Sequence, residues 1–516
     1  MSQLCVLNRA ILVSRCTERL KQRSLWFQRQ QRLHVEGPNP AAAACSKRRS
    51  KSWLWLCGLG LGVAVAVGLK TNREKANVPC GDGENLRIGG YEAAIEASRE
   101  LLKRIQVGTR DDAEVGAPGL VVGVSVNGHQ VWSEGFGYSD LENRVPCGPT
   151  TVMRIASISK PLTSAAAALL CEEGKLDLDA PVQKYVPEFP VKQFDGQDVT
   201  ITPRLLLSHL SGIRHYEKDG RKVREKAKRP LKPPAQETEE EKSSAESKPN
   251  TQENSAQAKK EFEQEEYYLK DNFENVIQAL DLFKDDPLIY KPGTTFLYST
   301  HGFTLLSAVM ERASGQRFLD LMMSMFYELG MDHTVAEQND PIIYHRSRFY
   351  HVNKKGRVVN CPYVDNSYKW AGGGFLSNVE DLLLFGNALL YSYQVAQLQD
   401  PKNLLPGFLK PKTIQELWEA VDRTESNSNK DHLYAQGWMV VKEKHKYGQC
   451  KRRRCFVSHT GGAVGASSVL LVLPTDEALD GQTLPRGVVV TILMNVQGVG
   501  LKSTAFKIAH EFDKSI

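Results

Sequence analysis

Ser157 and Lys160 lie three residues apart in the segment RIASISKPLT, the only Ser-x-x-Lys in the 516-residue chain. A serine hydroxyl is a weak nucleophile until a neighbouring base takes its proton, and a lysine amine is a base only when its surroundings hold it neutral. On a helix, a spacing of three puts both side chains on one face. The helix N-terminus is electropositive, so a lysine in the first turn is disfavoured as a cation, and burial lowers its pKa further. The same turn places the backbone N–H of Ser157 where an oxyanion can form. The plainer reading is structural: Ser157 caps a helix and Lys160 is a solvated first-turn residue. Two further side chains bear on the choice. Tyr298 in YST offers a phenol, and His459 in SHTGG an imidazole. Taken singly, each reads as an ordinary structural residue.

The pattern around these residues predicts the elements that position them. YEAAIEASRELLKRI, residues 91–105, has helical apolar spacing. GLVVGVSV, NGH and QVWSEGFGY read as strand, tight turn and strand, with Asn127 and Gly128 in the turn. The alanines and leucines from Lys160 to Leu170 propose a helix closed by Gly174. Helical patterns recur at 302–329 and 379–391, with a glycine-rich turn, AGGG, at 371–374, read as packing rather than cleft lining. Three apolar β-type runs, CFVSH, SSVLLVL and GVVVTILMN, precede a final helix over 501–512. Strands at both chain ends and helices between them predict an α+β fold, an antiparallel sheet flanked by helices with an inserted helical lobe.

Composition divides the rest. Residues 1–52 carry eleven Lys/Arg and two acids, with apolar residues between the charges, the pattern of a mitochondrial transit peptide. Residues 53–69, WLWLCGLGLGVAVAVGL, form an uncharged run between Lys51 and Lys70 and read as a membrane anchor with interfacial tryptophans. Signal-anchor entry to the secretory pathway is the rival; the long basic leader and the lack of any N-x-[ST] acceptor weigh against it. Residues 70–87 read as a linker and 88–516 as the main domain. Within it, residues 217–266 are dominated by Lys, Glu, Ser, Gln and Pro and predict a disordered or weakly helical insertion. The net charge of +6 comes from the leader, so no nucleic-acid surface is implied. No C-x-x-C occurs among the ten cysteines; Cys450 and Cys455 read as a local disulfide or, preferably, two free thiols. G-x-S-x-G, H-E-x-x-H and G-K-[ST] are absent, and no metal or organic cofactor is implied.

With these residues in view, the chain resembles the serine β-lactamase and penicillin-binding-protein family, especially its class C-like esterases and D-peptidases. The opening hairpin GVSVNGHQVWSEGFGYSDLENRVP is followed in family order by GKLDLDAPVQKYVPEFP, LLLSHLSGI, YSTHGFTLLSAVMERASG, AGGGFLSNVEDLLLFGNALL and SHTGGAVGASS. The resemblance implies a β-lactamase/transpeptidase-like fold. It makes Ser157 the acyl-forming nucleophile, Lys160 its proton acceptor and Tyr298 the proton shuttle to the leaving group. His459, Thr460 and Gly461 match the family's K-T-G or H-T-G strand, and Gly462 would supply the second oxyanion N–H. Thr300 stands where the family has the asparagine that grips substrate. His459 in place of lysine would be cationic only when protonated, an expectation of pH dependence near neutrality.

With the basic leader, the anchor and the insertion, the resemblance narrows to the family's mitochondrial branch. That branch implies a serine peptidase of the intermembrane space, associated with the inner membrane. It further implies a peptide or protein substrate, self-association into filaments and a link to lipid metabolism. The competing function is a filament-forming scaffold derived from a hydrolase, which the loss of the asparagine at Thr300 keeps in play.

Overall fold

The computed structural model describes residues 90–107, 116–228, 265–398, 404–425, 432–441, 444–445, 452–453, 455–477, 479 and 484–516. The expected transit peptide, anchor and linker lie outside the described residues, as do Cys450 and residues 229–264 of the insertion.

Eight antiparallel strands form the central sheet. From the N-terminal part come β1 (Gly119–Val126), β2 (His129–Asp140) and β3 (Val145–Pro146). From the C-terminal part come β4 (His432–Tyr434), β5 (Met439–Val441), β6 (Phe456–Ala463), β7 (Ala466–Pro474) and β8 (Gly487–Met494). Their order is β4-β5-β6-β7-β8-β1-β2-β3, so β1 and β8 join the two ends of the chain at the centre of the sheet. The join is long, running from Leu120↔Met494 to Val126↔Val488. The β1–β2 turn is closed by Asn127 and Gly128, with φ of 51° and 81°, the left-handed pair that lets a two-residue hairpin follow the strand twist.

Both faces of this sheet are covered, which is why β8 reads VVVTILM rather than alternating. Val488, Val490 and Ile492 pack with Leu120, Val122 and Val124 against α1 (Glu92–Val107) and α7 (Lys502–Asp513). Val489 and Leu493 face the other way, toward the larger core of the helical lobe. That lobe contains α2 (Ser159–Glu172), α4 (Thr300–Ser314), α5 (Phe318–Leu329) and α6 (Val379–Val395). The run predicted over 302–329 thus divides into two helices, separated at Gly315, which takes φ of 70° and ends α4 as a left-handed cap.

The described ends of the expected insertion contact the folded domain. Residues 220–228 form a helix, α3 (Gly220–Lys228). Arg224 Nε in it donates to the Ile289 carbonyl at 3.0 Å. At the other boundary Glu266 is only 5% exposed and belongs to the folded domain. Burial alone would raise its pKa, yet His301 and Arg214 hold the carboxyl down at about 2. Charge counting placed Glu266 with its solvated neighbours because local composition carries no record of a distant arginine.

Candidate active site

The segment before α2 is built to present Ser157. Met153 and Arg154 pair as a short strand with Leu376 and Ser377. Arg154, nearly buried, makes a two-pronged contact with Glu337 through Nε, at 2.8 and 2.9 Å, and donates from Nη1 to the Val464 carbonyl at 2.5 Å. The chain then reverses through Ala156, whose φ of 49° is unusual for a residue with a Cβ and costs about 1–3 kcal/mol. Ser468 Oγ secures the reversal by donating to the Ile155 carbonyl at 2.8 Å. A tight turn over Ala156–Ile158 leads into α2, and no side chain caps that helix, so Ser157 is not a helix cap. Its hydroxyl instead borders a cavity of about 260 Å³.

Lys160, in the first turn of α2, is fully buried. Burial, followed by the charge of Lys369, holds its pKa well below the ordinary lysine value. In its neutral form the amine has two hydrogens and one lone pair. The hydrogens have acceptors in the Gly372 carbonyl at 2.6 Å and Thr300 Oγ1 at 3.5 Å. Ser157 Oγ lies 3.1 Å from Nζ. The AGGG segment, read as packing rather than cleft lining, therefore holds the lysine amine through Gly372, and Gly372 and Gly373 line the cavity. Thr300 likewise has a place: it faces the lysine.

Tyr298 stands at the start of α4. Ser299 caps that helix, accepting from Gly302 N at 3.0 Å and donating to the Arg214 carbonyl at 2.7 Å. Two histidines complete the helix start. His209 Nδ1 accepts from Ser299 N at 3.2 Å and His215 Nδ1 from Thr300 N at 3.3 Å. Both rings are held neutral, by burial first and then by the charge of Lys160. The His209 ring packs 4.3 Å from the Tyr298 ring, centroid to centroid. Lys160 Nζ lies 4.7 Å from the centroid of the same tyrosine. Burial raises the Tyr298 pKa, opposed by a hydrogen bond with Ser157, so the phenol is protonated. The serine oxygen thus has both the Lys160 amine and the Tyr298 phenol as hydrogen-bond partners.

β6 closes the other wall. Gly461 must be glycine: a Cβ there would stand 2.2 Å from Ser468 Oγ and 2.4 Å from the Ile155 carbonyl oxygen. This close approach brings Thr460 and Gly462 to the cavity beside Ser157. His459 does not join them as a switchable cation. It is 5% exposed. Its Nδ1–H donates to the Thr460 carbonyl at 2.7 Å, and Nε2 accepts from Tyr434 Oη at 2.9 Å. Burial, then the charge of Lys160, depresses its pKa to about 3. The expected titration near neutrality is corrected: His459 is a neutral hydrogen-bonding residue across that range, because burial disfavours the imidazolium and no carboxylate pairs with it among the described residues.

Lys369 escaped the sequence reading. It is 4% exposed and lines the cavity. The rings of Tyr216, Tyr267 and Tyr368 surround its amine at 5.7, 5.1 and 4.9 Å. Burial, then the charge of Arg154, lowers its pKa to about 7, with Glu337 opposing. No local pattern marks it; SYKWAGGG shows a lysine before a glycine turn and nothing of the tyrosines gathered around it.

A family model described as Beta-lactamase matches residues 105–510. The chain is 56% identical over 453 residues to the mouse protein named serine beta-lactamase-like protein LACTB, mitochondrial, covering 82% of this chain and 81% of the relative. It is 56% identical over 446 residues to the human protein of the same name, covering 82% and 80%. Among solved structures, the octameric penicillin-binding protein homologue from Pyrococcus abyssi aligns with a TM-score of 0.54 at 19% identity, covering 83% of this chain and 78% of that one. A class C beta-lactamase aligns with a TM-score of 0.53 at 15% identity, covering 81% and 96%. These structures share the fold.

Proposed function

The chain belongs to the beta-lactamase family and is a serine hydrolase-like protein of mitochondria; from that premise we propose that it hydrolyses an acyl substrate, most simply a peptide, through an ester on Ser157. The observation that carries this reading is the Ser157–Lys160 contact at 3.1 Å, made by an amine whose pKa burial holds well below the ordinary lysine value. Ser157 Oγ attacks the substrate carbonyl as its proton passes to Lys160. The backbone N–H groups of Ser157 and Gly462, both on the cavity, receive the oxyanion. The proton then returns through Tyr298 to the leaving atom. Water repeats the sequence on the ester and frees the serine.

Thr300, the feature that favoured a scaffold without catalysis, here helps orient the catalytic base, which supports the enzyme reading. Import by residues 1–52, tethering by 53–69 and exposure of the domain to the intermembrane space at the inner membrane belong to the same proposal and rest on composition and family branch. Self-association into filaments and a link to lipid metabolism rest on the family branch alone.

The test is covalent. A fluorophosphonate should label the wild type, with the adduct mass on the peptide carrying Ser157, and should fail to label Ser157→Ala of unchanged thermal stability. Equal labelling of both proteins would overturn the assignment.

A further inference from the structure

The two amides proposed to receive the oxyanion stand on segments far apart in the chain. Ser157 follows the Met153–Arg154 strand, and Gly462 is near the end of β6. Each N–H must end about 2.7–3.1 Å from one oxygen that forms only during the reaction, so the spacing of the two segments has to be fixed in advance. One side chain spans both. Arg154 precedes Ser157 on the first segment, and its Nη1 donates at 2.5 Å to the carbonyl of Val464, just past Gly462 on the second.

The guanidinium is held from several directions. Its Nε meets both Glu337 oxygens at 2.8 and 2.9 Å, and Nη2 meets Oε1 at 2.7 Å. Glu337 is 3% exposed and accepts in turn from Asn366 Nδ2 at 2.6 Å and Arg346 Nη2 at 3.3 Å. Burial would raise its pKa, but Arg154 first, then Arg346 and Asn366, hold it below the ordinary carboxylate value, so the pair is ionic. The Glu337 amide donates to the Gly374 carbonyl at 2.9 Å, in the same glycine turn whose Gly372 carbonyl receives Lys160. Arg154 Cζ lies 4.1 Å from the centre of the Phe349 ring. That ring packs against Ala156, Ala463 and Ala466, a small apolar cluster that takes one residue from beside each amide. Ser468 Oγ also ties the serine segment to β7, through the Ile155 carbonyl. Arg154 is the tie that reaches the turn beyond Gly462. It is not among the described residues lining the Ser157 cavity, so it acts on the reacting atoms only through the backbone that it holds.

We propose that Arg154, seated on Glu337, is a positioning residue that sets the spacing of the Ser157 and Gly462 amides. The assignment rests on the acyl-enzyme reading of Ser157. It gives a reason for burying an ion pair where neither charge borders the cavity. A planar fork with donors on three nitrogens reaches a carboxylate and a carbonyl at once, which a lysine or an apolar side chain does not.

The experiment uses the full chain with 4-nitrophenyl acetate and 4-nitrophenyl thionoacetate. The two share a leaving group and differ in the one atom that becomes the anion. Sulfur is larger than oxygen and a weaker acceptor, so amides set for oxygen favour the acetate. The readout is the ratio of the two acylation rates, each divided by the rate with hydroxide. For the wild type it should be on the order of 100. Arg154→Met combined with Glu337→Gln removes both charges together and leaves neither buried alone; it should lower the ratio about tenfold or more. Arg154→Lys, which keeps a cation beside Glu337 but has one nitrogen in place of three, is the second variant and should lower the ratio likewise. Each ratio is read within one protein, so a smaller folded fraction does not move it. A fluorophosphonate adduct on Ser157 reports on the acyl-enzyme reading separately, and its absence from the wild type would sink that reading. With the adduct present, a wild-type ratio near one would show that the amides do not hold the anion. An unchanged ratio in a folded Arg154 variant would show that Arg154 does not space them. Either result overturns the proposal.

Discussion

Two buried basic clusters meet at the start of α4, and they are built on opposite principles. Arg214, 2% exposed, is paired: it grips Glu266 through two nitrogens at 2.7 and 2.9 Å and Asp286 at 2.5 Å. Its carbonyl holds Ser299, and so fixes the backbone next to Tyr298. Lys160 and Lys369 are as deeply buried, but no carboxylate lies within ion-pair distance of either amine among the described residues. The paired cluster keeps its charges and organises the scaffold. The unpaired cluster gives up charge, and a neutral amine is what a serine needs. Desolvation is common to both; the presence of a carboxylate decides whether it produces a structural ion pair or a base.

The comparison can be broken at four points. Lys160→Met removes the proposed base and should lower acylation on the order of 10³-fold without loss of thermal stability, since a buried amine with a depressed pKa is replaced by an apolar group. A mutant that keeps more than a tenth of the wild-type rate would show that another group takes the proton. Glu266→Ala does the reverse. It leaves Arg214 charged with Asp286 as its one carboxylate partner among the described residues and should cost about 3–5 kcal/mol in denaturant unfolding, with activity falling only as the fold does. A loss under 1 kcal/mol would mean that Glu266 is not the partner that matters.

Lys369→Met tests the sign of the linkage. The folded pKa of Lys369 is lowered to about 7 while its unfolded value stays near 10.5, so between those values the unfolded chain binds more protons and stability rises with pH. The penalty of keeping the lysine is therefore full below about pH 7 and is relieved as pH approaches 10.5. The variant should be more stable than wild type by about 3–5 kcal/mol at pH 6, with the gap closing through alkaline pH. A gap that widens with pH would contradict this assignment. The smallest expected effect is at His459, whose pKa of about 3 predicts no titration between pH 5 and 8. NMR of the ring carbons should show one neutral tautomer throughout; a midpoint near 6.5 would restore the switch.

Some of this molecule was legible in its residues. Short apolar runs at both ends became a sheet because both of its faces are covered, and 3.6-residue periodicity became α1 and α6 within a few residues. Ser157 and Lys160 stood out by their spacing of three, and the resemblance added Tyr298; the structure brings Ser157 and Tyr298 to one cavity, with Lys160 Nζ 3.1 Å from Ser157 Oγ. What stayed hidden depends on sequence-distant segments. His209 and His215 sit in LLLSHLSGIRH with nothing to tell that they accept from the amides that start α4. Gly372 acts through a carbonyl that every residue has.

The sequence by itself determined which chemistry is available, since residue type and local spacing fix donors, acceptors and nucleophiles. Only the tertiary structure decided the state in which they work. Burial raises or lowers a pKa according to what stands within a few ångströms, and the residues that stand there come from segments far apart in the chain. Hence one histidine, expected to carry charge, is neutral behind Tyr434. One lysine, unmarked in its own stretch, reaches a pKa of about 7 among three tyrosines. And one glutamate, counted with a solvated insertion, is an anion that arginine and histidine hold in the core.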